Sequence, residues 1–333
     1  MLDLDSFLVS LYVLVDDWWH EHHPSSAPNK PGRPALLSDP EVITLAILAQ
    51  WPRFTSERDF WRFSQAHLRP YFPNLCSQSQ LNRRVRSVES DLRDFQRALA
   101  RTLCGASEIY HVLDTTLIPA MVRVRASRKG LFCGQATFGR SASKTEWVYG
   151  LKVALSVSPE GVICAFGLAE ASSDERPIGE YLIIEDSHDA YLADKGFTGI
   201  EWERRWSDLY GALVAATPKD NSKRAWTKTD RRWASGKRQI IEGVIDQLKD
   251  IFALERHRAK TLLKVFWPAW RPRWRPTAAG SGSTASSGDR CATWPTFWSE
   301  RLCITRLRTQ LRRTSMRRHI LSRPTWRPPC GRA

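Results

Sequence analysis

The residues with the clearest chemical potential in this 333-residue chain are three acids, Asp114, Asp194 and Glu242. Asp114 directly follows the apolar run 110–113, and Asp194 directly follows the run 190–193. Short apolar runs are typical of buried strands, and catalytic side chains are commonly presented where such strands end. The sequence therefore predicts two carboxylates at the ends of neighbouring strands.

Glu242 lies in the segment 237–249, whose spacing predicts an amphipathic helix rather than a strand. At about 100° per residue, Arg238, Asp246 and Lys249 fall within about 40° of Glu242 on a helical wheel. The opposite face is predicted to be buried and consists of Ile240, Val244, Leu248, Ile251 and Phe252.

Three carboxylates suit hard divalent cations, which take oxygen ligands. Two such ions can clamp the attacking and leaving oxygens of a phosphoryl transfer. We therefore expect two Mg²⁺ ions, with Mn²⁺ as an alternative, bound by Asp114, Asp194 and Glu242. A zinc site is not expected, because the seven cysteines are scattered without a C-x-x-C pair.

These residues resemble those of the DDE transposases of bacterial insertion sequences, whose catalytic domain is similar to ribonuclease H. That family's third acid lies in a pattern of Tyr, two residues, Arg, three residues, Glu, six residues and Lys. Arg238, Glu242 and Lys249 match this spacing, whereas Ser235 stands at the tyrosine position. The resemblance extends over about residues 2–263 and includes the segments 112–116, 174–177 and 192–197.

The resemblance implies an α/β fold in which a ribonuclease H-like mixed sheet is flanked by helices and preceded by an all-helical domain. It implies metal-dependent DNA cleavage at the ends of the element and strand transfer into target DNA, with the three acids as catalytic residues and metal ligands. The expected partners are terminal inverted repeats, target DNA and a second copy of the chain in a homodimeric synaptic complex. The expected location is the bacterial cytoplasm, at the nucleoid.

Two alternatives stay open. Another ribonuclease H-like nuclease, such as an integrase or a junction resolvase, is one of them, and a plain nuclease would cut DNA without joining it. A catalytically inactive, frameshifted DNA-binding remnant would bind terminal repeats without nicking them.

Basic residues are candidates for contact with DNA phosphates or for orienting the acids. Those near the acids or their motifs are Arg238, Lys249, Lys195 and Arg176. The others are Arg123, Arg125, Arg128 and Lys144, in a loop between residues 119 and 144, and Arg83 and Arg84 in the N-terminal region.

Residues 1–108 are predicted to form a helical, DNA-binding domain, and residues 109–263 the ribonuclease H-like catalytic domain. The sequence Ser38-Asp39-Pro40-Glu41 is a capping box that opens a helix over 42–51. Further helices are predicted over 57–68 and 77–103, an arrangement that suits a helix-turn-helix reader of DNA.

Residues 264–333 are predicted to be a disordered basic tail rich in Trp, Arg and Pro. They contain 15 Lys and Arg against two acidic residues, so they carry +13 of the net charge of +15. One interpretation is an arm in which Arg contacts phosphate and Trp stacks on bases. We favour a frameshift after about Leu263, because stepping the frame back one base turns Trp267, Trp270 and Trp274 into Leu, Met or Val at helical spacing.

Composition predicts a soluble intracellular protein. No run of about 18 apolar residues is present, and residues 1–5 are acidic where a signal peptide would be basic. An odd number of cysteines favours a reducing compartment over a disulfide framework.

Overall fold

The computed structural model describes residues 4–23, 35–51, 54, 56–104, 108–121, 126, 132–141, 146–219 and 226–256. The chain separates into two compact units on either side of the bond between Phe95 and Gln96. No helix in these ranges has the length and apolar character needed to cross a lipid bilayer. The predicted tail 264–333 lies outside the described residues.

The N-terminal part is helical, as predicted. Ser38 begins the second helix with a reciprocal capping box, in which its backbone N–H donates to Glu41 Oε2 at 2.6 Å and its Oγ accepts from Glu41 N–H at 3.3 Å. The predicted helix over 77–103 is two helices, because Val88 leaves the helical conformation with φ −107° and ψ 24°. The helices are α1 (Leu4–His22), α2 (Asp39–Leu48), α3 (Glu57–Phe63) with a π-helical turn (Ser64–Leu68), α4 (Gln78–Ser87) and α5 (Glu89–Leu103).

The second unit contains a six-stranded mixed sheet. Its strands are β1 (His111–Met121), β2 (Thr137–Ser141), β3 (Glu146–Val157), β4 (Ile163–Glu170), β5 (Ala190–Ala193) and β6 (Leu213–Ala216). The long strand β3 pairs antiparallel with β1, β2 and β4, whereas β5 pairs parallel with both β1 and β6. The predicted mixed α/β sheet is therefore confirmed.

Three helices flank the sheet: α6 (Glu175–Asp186), α7 (Ile200–Tyr210) and α8 (Lys228–Asp250). The helix α6 begins directly after Asp174, whose side chain accepts the Arg176 N–H at 2.9 Å and caps the helix. The core between α6, α7 and the sheet is built around Trp206, Phe197 and Tyr191, each at most 1% exposed. These large side chains fix the strands on which the candidate site depends.

The helix α8 turns a different face to the sheet from the one predicted. Its buried residues are Ala234, Ile241, Val244, Ile245 and Leu248. Ile240 is only half-buried and Ile251, just past the helix end, is 49% exposed. The buried stripe is therefore rotated toward Arg238, and Glu242 remains exposed at its edge.

Gly150 is a position where the sheet tolerates no side chain. A Cβ there would lie 1.9 Å from the carbonyl oxygen of Ile118, where the β1–β3 register shifts. We expect Gly150→Ala to lower the free energy of unfolding by about 3 kcal/mol, because backbone rather than a mobile side chain must move. Urea unfolding followed by tryptophan fluorescence measures this loss.

Gly236→Ala in α8 is the matched control. A Cβ there would meet nothing within 4 Å, so alanine should stabilise the helix by about 0.5–1 kcal/mol. Equal effects of the two substitutions would contradict the close approach of β1 and β3.

Candidate active site

Asp114 and Asp194 lie side by side on two parallel strands. The register pairs Val112 with Leu192 and Leu113 with Ala193, so the next residue on each strand is one of the two acids. Asp194 follows the last residue of β5, as predicted. The prediction that Asp114 ends its strand is wrong, because β1 continues to Met121 through its pairing with β3.

The guanidinium of Arg238 connects the two aspartates. Its Nη1 donates to Asp194 Oδ1 at 3.0 Å, and its Nη2 to Asp114 Oδ2 at 3.4 Å. The Arg238 and Asp114 side chains are only 14% and 17% exposed, so these charge-assisted bonds are partly shielded from water. Both carboxylates therefore face one small region next to α8.

Glu242 lies one helical turn beyond Arg238. Residues four apart share a helix face, and α8 packs against β1, β3 and β5. Among the described residues, ligand atoms of three or more metal-binding side chains come within 4.8 Å of one another only at Cys104, His111 and Cys164. Arg238 thus brings Asp114 and Asp194 together, whereas Glu242 is exposed and forms no three-residue group of that size with them.

Two residues beside Asp114 were not assigned a role from the sequence, Glu175 and Lys152. Glu175 Oε1 accepts the Thr115 hydroxyl at 2.8 Å and lies 3.6 Å from Lys152 Nζ. Glu175 also packs on Gly196, where a Cβ would lie 1.7 Å from Glu175 Oε2. Lys152 interrupts the apolar pattern of β3, and that interruption was the signal in the sequence.

Two of the residues predicted to contact phosphates pair with carboxylates of the protein instead. Lys249 Nζ pairs with Glu255 at 3.2 Å, and the Arg176 guanidinium is bonded to Asp174. Lys195 is exposed directly after Asp194. Arg123, Arg125, Arg128 and Lys144 lie outside the described residues.

The two N-terminal arginines differ in their surroundings. Arg84 Nη2 donates to Asp39 Oδ1 at 2.8 Å and to the carbonyl of Leu37 at 3.0 Å. Arg83, by contrast, is exposed. Arg84 therefore ties α4 to the start of α2.

The Asp114 carboxyl has an unusual acidity. Burial raises its pKa from 3.8 to about 6, and the charges of Asp194 and Glu175 act in the same direction. Arg238 and the N–H of Thr115, which donates at 2.7 Å, oppose this rise. The fold thus holds a carboxylate whose negative charge is only partly compensated by the protein.

This acidity predicts a pH-dependent stability. Since the folded pKa lies above the unfolded one, the protonated form favours folding. The free energy of unfolding should fall by at most about 3 kcal/mol as pH rises from about 4 to about 6. Above pH 6 it should stay level. Asp114→Asn should lose this dependence, measured by urea unfolding over a pH series without divalent ions.

Asp208→Asn, at an exposed position of α7, is the control and should keep the wild-type dependence. Parallel curves for Asp114→Asn and the wild type would show that Asp114 is not the titrating group.

The geometry agrees with a comparison to known families. Residues 104–262 match the family model described as transposase DDE domain, which confirms the resemblance to DDE transposases. Proteins of this family act on DNA by phosphoryl transfer and generally use divalent metal ions. A search of curated proteins finds no match to the chain.

Proposed function

We propose that this chain, whose residues 104–262 match the transposase DDE domain, is the transposase of a bacterial insertion sequence. It would cut DNA at the ends of the element and join those ends to target DNA. The observation that carries this proposal is the shared guanidinium of Arg238, which holds Asp114 and Asp194 together one helical turn from Glu242.

The donor set fits divalent cations. One guanidinium spans both aspartates, so a single cation can lie between them. Two carboxylates share one arginine, and with Glu242 as a third oxygen ligand this excess of negative charge suits Mg²⁺ or Mn²⁺. Two ions in such sites lie about 3.5–4 Å apart. If Asp114 binds both ions, Asp194 and Glu242 can each bind a different ion and need not approach each other.

We assign Asp114, Asp194 and Glu242 as the metal ligands. Bound metal would make the attacking oxygen more nucleophilic and stabilise the departing one. Arg238 keeps the two aspartates oriented, and Lys195 is exposed beside Asp194 for contact with a phosphate. The pair of Glu175 and Lys152 fixes the Thr115 side chain next to Asp114.

The proposed reaction has two steps. Water attacks the phosphodiester at the element end, and cleavage of the P–O bond releases a 3′ hydroxyl. That hydroxyl attacks a target phosphodiester, forms a new P–O bond and expels the target's own 3′ oxygen. One P–O bond replaces another in each step, so no covalent protein intermediate is needed.

We propose three functional segments with different roles. Residues 1–108 would bind the terminal inverted repeats, 109–263 would carry out catalysis, and 264–333 would be the product of a frameshift. Two copies of the chain would hold the two ends in one synaptic complex at the nucleoid.

The test is a strand-transfer assay with duplexes that carry the inverted repeats flanking the gene, a supercoiled plasmid as target, and Mg²⁺. Nicked ends joined to plasmid are the expected product. Cutting without joining would favour a plain ribonuclease H-like nuclease. Specific binding without nicking would favour an inactive remnant.

A further inference from the structure

Two cysteines and a histidine meet at the start of β1, away from the paired aspartates. Cys104 follows α5, Cys164 lies in β4, and His111 is the first residue of β1. The two Sγ atoms are 3.5 Å apart, and Cys164 Sγ is 4.0 Å from His111 Nε2. All three ligand atoms lie within 4.8 Å of one another.

A buried carboxylate lies beside the histidine of this cluster. Glu108 Oε2 lies 3.0 Å from His111 Nε2, and the Glu108 side chain is only 8% exposed. Its other oxygen, Oε1, is buried and has no hydrogen-bond partner among the described residues. Leaving such an atom without a partner costs on the order of 1–3 kcal/mol, so its position indicates a missing positive partner.

The other side of the His111 ring is fixed by a second carboxylate. His111 Nδ1 lies 2.6 Å from Asp186 Oδ2, which also accepts the Ser156 hydroxyl at 2.5 Å. A histidine that donates one ring N–H to a carboxylate presents its other nitrogen as a ligand, an arrangement common around zinc.

We propose that Cys104, Cys164, His111 and Glu108 form a structural Zn²⁺ site that ties α5 and β4 to β1. Two thiolates with an imidazole favour zinc among the common divalent metals, and four protein ligands leave no open position for catalysis. A tetrahedral site places two sulfurs ~3.8 Å apart and a sulfur and a nitrogen ~3.6 Å apart. The Cys104–Cys164 and Cys164–His111 distances of 3.5 Å and 4.0 Å each lie within about half an ångström of these values.

The chemistry of the thiols agrees with a cation-dependent site. The contact with Cys104 and burial both raise the pKa of Cys164, and nearby carboxylates raise it further. Binding would transfer the two thiol protons to solvent as two zinc–sulfur bonds form.

The full chain is first purified in the presence of reductant, and its zinc content is then measured by plasma mass spectrometry. We expect one Zn²⁺ per chain. Co²⁺ added to the metal-stripped protein should give thiolate charge-transfer bands and the strong visible bands of tetrahedral cobalt. A zinc-poor chain without these bands would overturn the proposal, and so would an isolated chain that holds a Cys104–Cys164 disulfide and no metal.

Variants locate the site. Cys104→Ser and Cys164→Ser should each weaken Co²⁺ binding more than about 100-fold, and Asp186→Asn about 10–100-fold. Cys133→Ser, at an exposed cysteine, should bind like the wild type. Asp194→Asn should keep its zinc, so loss of nicking and loss of zinc are separate results. Retention of wild-type affinity by both serine variants would refute the site.

Discussion

Asp194→Asn is expected to lower metal-dependent nicking of DNA by on the order of 10³-fold or more. Asparagine keeps the shape of the side chain but removes the charge that would bind a cation. Metal ions supply several kcal/mol of transition-state stabilisation, and each 1.36 kcal/mol changes the rate about tenfold. Binding of the inverted repeats should be unchanged. Initial nicking rates at saturating Mg²⁺, with repeat binding measured in parallel, give both quantities.

Asp208→Asn is the matched control for this prediction, because it removes a carboxylate from an exposed position of the same unit. It should nick DNA at the wild-type rate. Wild-type nicking by Asp194→Asn would remove Asp194 from the metal site. Loss of nicking by both variants would indicate a general effect of charge rather than a ligand.

That the strands of Asp114 and Asp194 are neighbours could be predicted, but the extent of β1 could not. The short apolar run before Asp194 is bounded by polar residues, so its end is visible in the sequence. β1 continues past Asp114 because residues 114–118 pair with β3, 33 (151 − 118) to 41 (155 − 114) residues away. Register with a distant strand, rather than local polarity, therefore decides where Asp114 lies.

The buried face of α8 differs from the one that the sequence predicts, for a related reason. A helical wheel locates the apolar arc only to within about a residue, and the sheet selects which part of it is covered. Ile241 and Ile245 are buried instead of Ile240. This rotation brings Arg238 onto the aspartates, a contact that spacing alone does not reveal.

The cluster of Cys104, Cys164 and His111 shows a limit of predicting metal ligands from their spacing in the sequence. A C-x-x-C pattern detects ligands that share one loop, whereas Cys104 and Cys164 are 60 residues apart and come from different elements. The expectation of no zinc considered only local pairs. Long-range contacts of this kind become visible only when the strand pairing is known.

Glu242→Gln is expected to lower nicking by about 10²–10³-fold, comparable to the loss of a key electrostatic group. No hydrogen bond or ion pair involves Glu242 within the described ranges, so its carboxylate is available to a cation. Asp246→Asn, one turn further on α8 and also exposed, should retain wild-type nicking. Nicking rates measured as a function of Mg²⁺ concentration should show a lower metal affinity for Glu242→Gln, so that half-maximal nicking needs a higher Mg²⁺ concentration than in the wild type.

The decisive comparison is with Glu175, whose charge, like that of Asp194, acts on the Asp114 carboxyl. Its Oε1 is already used by Thr115 and Lys152, and its Oε2 packs on Gly196. A carboxylate committed in this way positions its neighbours, so Glu175→Gln should lower nicking by less than about 100-fold and leave the Mg²⁺ requirement unchanged. If Glu175→Gln raised the Mg²⁺ requirement and Glu242→Gln did not, the third metal ligand would be Glu175, and α8 would contribute only Arg238.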